Sequence, residues 1–326
     1  MVTEMGTTGT VKALHDVQKE SKALAARRLW KGIKRHWQLY LLVLAPLVYF
    51  IIFKYIPMYG AQIAFRDFSI VKGITGSDFV GLSHFEAFFK SPNFWLLIKN
   101  TMGISLYSLL IGFPAPILLA LALNEVRSMR FKKTVQLVTF APFFISTVVM
   151  VSMLIIFLSP RLGFVDQIVQ ALGFESINFM GVPGYFKSIF VFSNVWQSIG
   201  YGAVVYLAAL AGINPELYEA AKVDGASRFQ KIRNVDLPGI APAAIILLIL
   251  SVGQIMNVGF EKIYLMQNPL NVSTSEVIST YVYKTGLLGA NFSFSAAVDL
   301  FNSVINLILL ITVNSIAKRI SDSSLW

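Results

Sequence analysis

The chain has 326 residues and a mass of 36.2 kDa; 56% of the residues are hydrophobic, only 13% are charged, and the mean hydropathy is +0.66. Soluble domains carry about 25% charged residues, and a folded chain of this length still has a large surface to keep wet. The composition therefore argues against a soluble enzyme, a disordered chain and a fibre, and it favours a polytopic membrane protein, which the six helical segments below make all-α. The sequence has no Cys, which rules out disulfides, thiol nucleophiles and thiolate metal sites. Its three histidines, His15, His36 and His84, are too scattered for a metal cluster. The net charge of +10 and pI near 9.7 fit either nucleic-acid binding or sorting of charge by membrane side.

Residues 1–36 form a basic tail. It is no cleaved signal peptide, because its basic region and apolar run are too long and no small-x-small site follows. Two readings stand for its end: a solvated basic tail, or a short amphipathic helix lying on the membrane through Leu29, Trp30 and Ile33. A spanning helix needs about 20 mostly apolar residues, and residues 37–320 hold six such segments, at about 39–56, 97–123, 135–158, 189–213, 240–260 and 296–316. Pro114 and Pro116 fall in the second and Pro142 in the first turns of the third, which neighbouring helices can accommodate. Segments 57–93, 159–186 and 261–294 lie on one side; the Phe68, Phe79, Phe85, Phe88 and Phe89 aromatics of the first are expected to pack a small cap more than to bind ligand. Residues 321–326 form a C-terminal tail.

The Lys and Arg residues resolve the charge question. The N-terminal tail (Lys12, Lys19, Lys22, Arg27, Arg28, Lys31, Lys34, Arg35), the second connection (Arg127, Arg130, Lys132, Lys133), the fourth (Lys222, Arg228, Lys231, Arg233) and the C-terminus (Lys318, Arg319) hold eighteen of the 27. The opposite side holds nine, spread over longer loops. By the positive-inside rule both termini are cytoplasmic, and the charge is no nucleic-acid footprint. There is no P-loop, since the Gly-Lys dipeptide is missing altogether, so the chain has no nucleotide site of that kind. H-E-x-x-H, G-x-S-x-G and any His–carboxylate cluster are also missing, so no catalytic residues are assigned. No resident cofactor or metal is expected in this chain.

The connection between the fourth and fifth spans, residues 214–238, reads as two short helices. Asn214 is a good N-cap and Pro215 suits the first helical position; Glu216 and Glu219 lie where the helix dipole favours acids. Leu217, Ala220, Ala221 and Asp224 share one face. Gly225 can take positive φ and end the helix, Ser227 can cap the next, which carries Phe229, Ile232 and Val235, and Pro238 opens span five. The stretch is either a well-capped connector or a docking element for a cytoplasmic partner.

This stretch resembles the EAA loop of ABC importer permeases at Glu219, Ala220, Ala221, Asp224, Gly225, Ala226, Leu237 and Pro238, departing at Asp236, where the pattern has an apolar residue. Tyr206–Ile213, Asn100-Thr101 and Phe144-Ile145-Ser146 resemble the carbohydrate-uptake branch. The stretch from Ile263-Tyr264-Leu265 through Asn268-Pro269-Leu270 and Thr280–Tyr283 to Asn302-Ser303 is similar to the subgroup serving complex oligosaccharides and polysaccharide fragments. The resemblance implies the type I ABC importer permease fold and a multi-pass protein of the bacterial cytoplasmic membrane. It implies that the EAA loop, with Phe229, is a coupling helix seated on an ATPase subunit, with Glu219 and Gly225 its most position-sensitive residues. It further implies a second, different permease, a pair of cytoplasmic ATPase subunits that bind ATP and Mg, and an extracytoplasmic solute-binding protein that delivers an oligosaccharide.

Helical projection places Asn194, Gln197, Ser198 and Tyr201 of span four, Ser251, Gln254, Asn257 and Glu261 at span five, and Asp299, Asn302, Ser303 and Asn306 of span six on three polar stripes, each within about 120° of arc. Such stripes face a bundle interior, either as a substrate pathway or as interhelical hydrogen bonding. Tyr201 and Tyr206 offer stacking faces to a sugar, with core packing the alternative. Asp299, near the outer end of span six, is either a substrate or partner contact or a paired structural acid. Two other functions stand against the importer. A secondary carrier or channel would show matched broken helices and leaves the EAA loop unexplained, and a membrane enzyme lacks its catalytic groups. An ABC permease for a non-sugar solute shares the loop.

Overall fold

The computed structural model describes residues 34–320, so the expectations for Leu29, Trp30 and Ile33 and for the 321–326 tail lie outside the described residues. The chain divides into two units at Gln62 and Ile63. The described part of the first lies in one apolar helix, α1 (Trp37–Phe65), whose last three residues belong to the second unit. It holds Pro46, widens to a π turn over Ile51–Tyr55 just ahead of Pro57, and tightens to 3-10 geometry over Tyr59–Phe65. A proline lacks an N–H and clashes with the carbonyl four residues back; the wider turn relieves that crowding.

The second unit opens with a short antiparallel pair, β1 (Arg66–Asp67) and β2 (Asp78–Phe79), in the register Arg66↔Phe79 and Asp67↔Asp78. Helices α2 (Ser83–Lys90), α3 (Phe94–Glu125), α4 (Met129–Phe144), α5 (Thr147–Phe157), α6 (Phe164–Ala171) and α7 (Pro183–Ala211) follow. They continue as α8 (Pro215–Val223), α9 (Arg228–Gly253), α10 (Phe260–Met266) and α11 (Phe292–Ile320). Among the described residues four helices, α1, α3, α9 and α11, are long and apolar enough to cross a membrane, and six if each of the bent pairs α4–α5 and α7–α8 is one span. The fold is thus the expected all-α membrane bundle.

Helix α7 is the axis of the second unit and packs against α3, α4 and α9, while α9 also packs against α11. Three apolar clusters hold it together: one around Ile104, Phe186 and Phe190, one around Ala120, Tyr206 and Ile240, and one around Phe88, Met256 and Val298. Phe88 is completely buried among the rings of Phe94, Phe294 and Phe301, and Phe85 meets Phe65, as expected of a packed cap; Phe79 by contrast is exposed. Asn268 and Asn271 both donate to the Met180 carbonyl, and the Thr274 hydroxyl donates to that of Pro183, tying residues 268–274 to the start of α7. In the 158–182 segment the fully buried Asp166 carboxylate accepts four bonds of 2.7 Å, from the Ile177 and Arg161 N–H groups, the Ser176 hydroxyl and the Gln170 amide.

Two spans differ from the sequence reading. The third, expected to run unbroken over about 135–158, is bent by 100° between α4 and α5. Pro142 tightens Ala141–Phe144 into a 3-10 turn, and Ser146 then restarts the helix by accepting from the Val149 N–H. The fifth begins at Arg228 instead of near 240 and ends at Gly253 instead of near 260. Pro238 does not open a new helix; a π turn over Ile232–Asp236 absorbs its bulk, and the second short helix of the connection becomes the head of span five.

Candidate functional site

The connection after α7 is built as its residues dictate. Asn214 caps α8 by accepting from the Glu216 N–H at 3.1 Å. Gly225 takes φ +70°, which L side chains rarely adopt, and turns the chain. Ser227 and Gln230 form a reciprocal capping box at the start of α9. Helix α8 lies at 74° to α7, so it is a separate element with its own face. Glu219, Ala220, Asp224, Gly225, Phe229, Leu237 and Pro238 are exposed, and Ala221 and Ala226 are half-buried. Val223 and Phe229 leave 87% and 73% of their surface open.

Asp236 is where the connection is anchored. Its side chain is fully buried, and Oδ1 accepts from the Tyr218 hydroxyl at 2.6 Å and from Asn124 Nδ2 at 3.4 Å. Burial and the bond to Asp236 push the Tyr218 phenol up to about 12, so it stays a donor. Next to it Lys231 pairs with Glu125 at 2.5 Å and lies 5.7 Å from the Tyr218 ring centroid. The end of α3, helix α8 and the head of α9 are thereby joined through side chains. The sequence reading marked Asp236 only as a departure from a pattern; a buried acid among Tyr and Asn donors was a signal available in tertiary structure alone.

The second feature is a cavity of about 600 Å³ between α3, α7 and the end of α9. It gathers Asn194, Ser198, Tyr201 and Tyr206 from α7 with Ser251, Gln254 and Asn257, and adds Ser105 and Ser108 from α3, which the sequence reading missed. Beyond Gly253 the chain leaves the helix until Phe260, so Asn257 and Glu261 do not extend a helical stripe as projected. This irregular stretch is held by its surroundings. Met256 N–H donates to Asn306 Oδ1 at 3.0 Å, the Ser105 hydroxyl donates to the Ile255 carbonyl, and Asn302 Nδ2 donates to Asn257 Oδ1 at 3.1 Å. Non-helical backbone at membrane depth persists only where protein or a cavity satisfies it. Asn302 and Asn306 are buried and act as its scaffold; they are not among the lining residues.

Three further residues fall elsewhere. Gln197 donates to the Ile145 carbonyl at 2.8 Å, closing the break between α4 and α5. Asp299 is exposed and lines a separate cavity of about 340 Å³ with Phe260, Ser279 and Tyr283. Ser303 is exposed. Tyr201 keeps half its surface open and stacks flat on Phe143, with ring centroids 4.1 Å apart and planes 3° from parallel. Among the described residues no three His, Asp or Glu side chains gather as a metal would require.

Residues 112–322 match the family model for the binding-protein-dependent transport system inner membrane component. The chain is 41% identical over 300 residues to the polygalacturonan/rhamnogalacturonan transport system permease protein YteP of Bacillus subtilis (strain 168), covering 92% of this chain and 93% of that protein. It is 41% identical over 295 residues to protein LplB of the same organism, covering 90% and 93%. Among solved structures it is similar to a chain of the bacterial alginate ABC transporter in complex with alginate pentasaccharide-bound periplasmic protein, with a TM-score of 0.84, 42% identity and coverage of 91% and 100%. The chain belongs to the binding-protein-dependent transport system inner membrane components, the multi-pass permeases of ABC importers.

Proposed function

We propose that the chain is one of two homologous but different permeases that together form the pore of an oligosaccharide importer. An extracytoplasmic solute-binding protein delivers the sugar, and a pair of cytoplasmic ATPase subunits, holding ATP and Mg, drives the cycle. The end of the bundle that carries α8 faces the cytoplasm, with both termini, and the chain itself supplies no nucleotide site. The observation that carries this reading is the likeness, over nine tenths of the chain, to the alginate transporter solved with its sugar-loaded periplasmic protein. The exposed α8 face supports it. Glu219 and Gly225, with Ala220, Ala221, Asp224, Ala226, Phe229, Leu237 and Pro238, form the surface that seats on the ATPase.

Closure of the ATPase pair on ATP moves α8. The Tyr218–Asp236 and Lys231–Glu125 contacts pass that movement to α3 and α9, which with α7 wall the cavity. The cavity then opens in turn to the outside and the inside. Asn194, Tyr201, Tyr206, Gln254 and Asn257 offer donors, acceptors and ring faces to a sugar, while Asn302 and Asn306 hold the Gln254–Gly259 stretch in shape. Asp299 lies on a surface for the second permease or the binding protein. The test is purification of the tagged chain from membranes together with ATP-dependent oligosaccharide uptake. The expected result is a stable complex with a cytoplasmic ATPase; a chain that purifies alone while uptake persists without ATP sinks the reading.

A further inference from the structure

Three lysines, none of them among the lining residues, lie near the end of the cavity far from α8. Lys262, on α10, is 6% exposed, donates from Nζ to Asn194 Oδ1 at 2.7 Å and lies 5.8 Å from the Phe190 ring centroid. Asn194 and Phe190 both line the cavity. With its oxygen engaged by Lys262, the Asn194 amide is left to present its N–H₂ donors. Lys187 precedes Val191, another lining residue, by one turn on the same face of α7. Its Nζ lies 2.6 Å from where a Cβ on Gly103 would be, so the glycine lets the ammonium rest against α3. Lys99 lies one turn before Gly103 on α3 and is exposed.

Among the described residues the ion pairs are Lys72–Asp78, Lys90–Glu86, Lys231–Glu125 and Lys284–Glu276, and none of these three lysines takes part. Glu261, beside Lys262 in sequence, is exposed and forms no pair with it. A buried ammonium such as that of Lys262, without a counter-ion, is costly. A neutral sugar needs hydroxyl donors and acceptors and gains nothing from an unpaired ammonium; a uronate carries a carboxylate on each ring, and charge-assisted hydrogen bonds to it are about twice as strong as neutral ones.

The geometry points to Lys262, backed by Lys187, as a carboxylate-reading site at the rim of the cavity, which makes acidic oligosaccharides the substrate class of this permease. The inference rests on the oligosaccharide-importer reading and narrows it.

The test uses the assembled transporter in proteoliposomes with one binding protein in every arm. It compares uptake of a trigalacturonide with uptake of the carboxyl-reduced trisaccharide of the same linkage. The expected result is preference for the acid by wild type, a fall of about tenfold or more in that ratio for Lys262→Met, and a ratio near wild type for Lys262→Arg. Should Lys262→Met fail to assemble, Lys187→Met, at a half-exposed position, decides by the same ratio. A wild-type ratio in the Met variant that assembles, or equal uptake of both sugars by wild type, overturns the carboxylate site while leaving an oligosaccharide importer. If neither sugar enters with ATP, the importer reading itself fails and this inference with it.

Discussion

At the scale of single residues, Gly225 separates what folding needs from what coupling needs. Its φ of +70° costs an ordinary L-residue roughly 1–2 kcal/mol, with Asp and Asn more tolerant than most. A Cβ added there meets nothing within 4 Å of this chain, so the fold has room for a side chain. Gly225→Asp should therefore reach the membrane at wild-type level, but bring an unpaired charge to the docking face. Uptake is expected to fall by more than about tenfold, because burying such a charge at an interface costs several kcal/mol. Wild-type uptake would count against a docking role. Asp166 makes a different case. The Ile177 N–H foremost, then the Ser176 hydroxyl, the Arg161 N–H and the Gln170 amide, hold its carboxyl at about 2, below the ordinary 3.8. A carboxyl lowered by folding stabilises the folded state fully above 3.8 and loses that contribution as pH falls through about 2. Hydrogen-exchange protection of residues 159–182 should hold from pH 7 to 4 and drop between 4 and 2; flat protection across that window would show that the four bonds do not order the segment.

At the scale of elements, the joint between α8 and the spans rests on a buried charge. Removing only the Tyr218 hydroxyl leaves Asp236 with a weaker set of donors, and stranding a buried polar group costs about 1–3 kcal/mol. Tyr218→Phe should lower the thermal stability of the complex and weaken stimulation of its ATPase by the sugar-loaded binding protein. Replacing the acid as well, in Tyr218→Phe/Asp236→Leu, removes the stranded charge, and the double variant should be the more stable of the two. If it is less stable, the pair is not a coupled unit. Local features of this region were readable beforehand: the Asn214 cap, the Gly225 turn and the Ser227 cap each depend on residues within a few positions. The joint was not, because Asn124 and Asp236 are far apart in sequence and meet only after α3, α8 and α9 pack. The same limit explains the cavity. Helical periodicity brought Asn194, Ser198 and Tyr201 of span four to one cavity wall, but on span six it grouped the buried Asn302 and Asn306 with the exposed Asp299 and Ser303, and projection continued span five past Gly253, where side chains of α3 and α11 satisfy an unwound backbone. Lys262 read as a loop charge because nothing near it in sequence shows that Asn194 and Phe190 enclose it.

At the scale of the whole molecule, the number of crossings is the open physical question that the charge pattern answers. Eighteen Lys and Arg fall on the side assigned to the cytoplasm and nine on the other, a bias that orients short loops. That assignment requires the α4–α5 pair, bent by 100°, to cross the membrane and not to dip in and return. The sequence contains no Cys, so single cysteines report sidedness without background. Val71, Phe174 and Leu287 are exposed on segments that six crossings place outside, and Val223 is exposed on α8. In intact cells a membrane-impermeant thiol reagent should label Val71→Cys, Phe174→Cys and Leu287→Cys, and should label Val223→Cys only after the membrane is opened. If α4–α5 merely dips and returns, the connections after it change sides: Phe174→Cys would be shielded while Val71→Cys is labelled, and Val223→Cys would react from outside. That outcome would place α8 beyond reach of any cytoplasmic ATPase, so one labelling pattern tests the span count, the meaning of the net charge and the coupling role together.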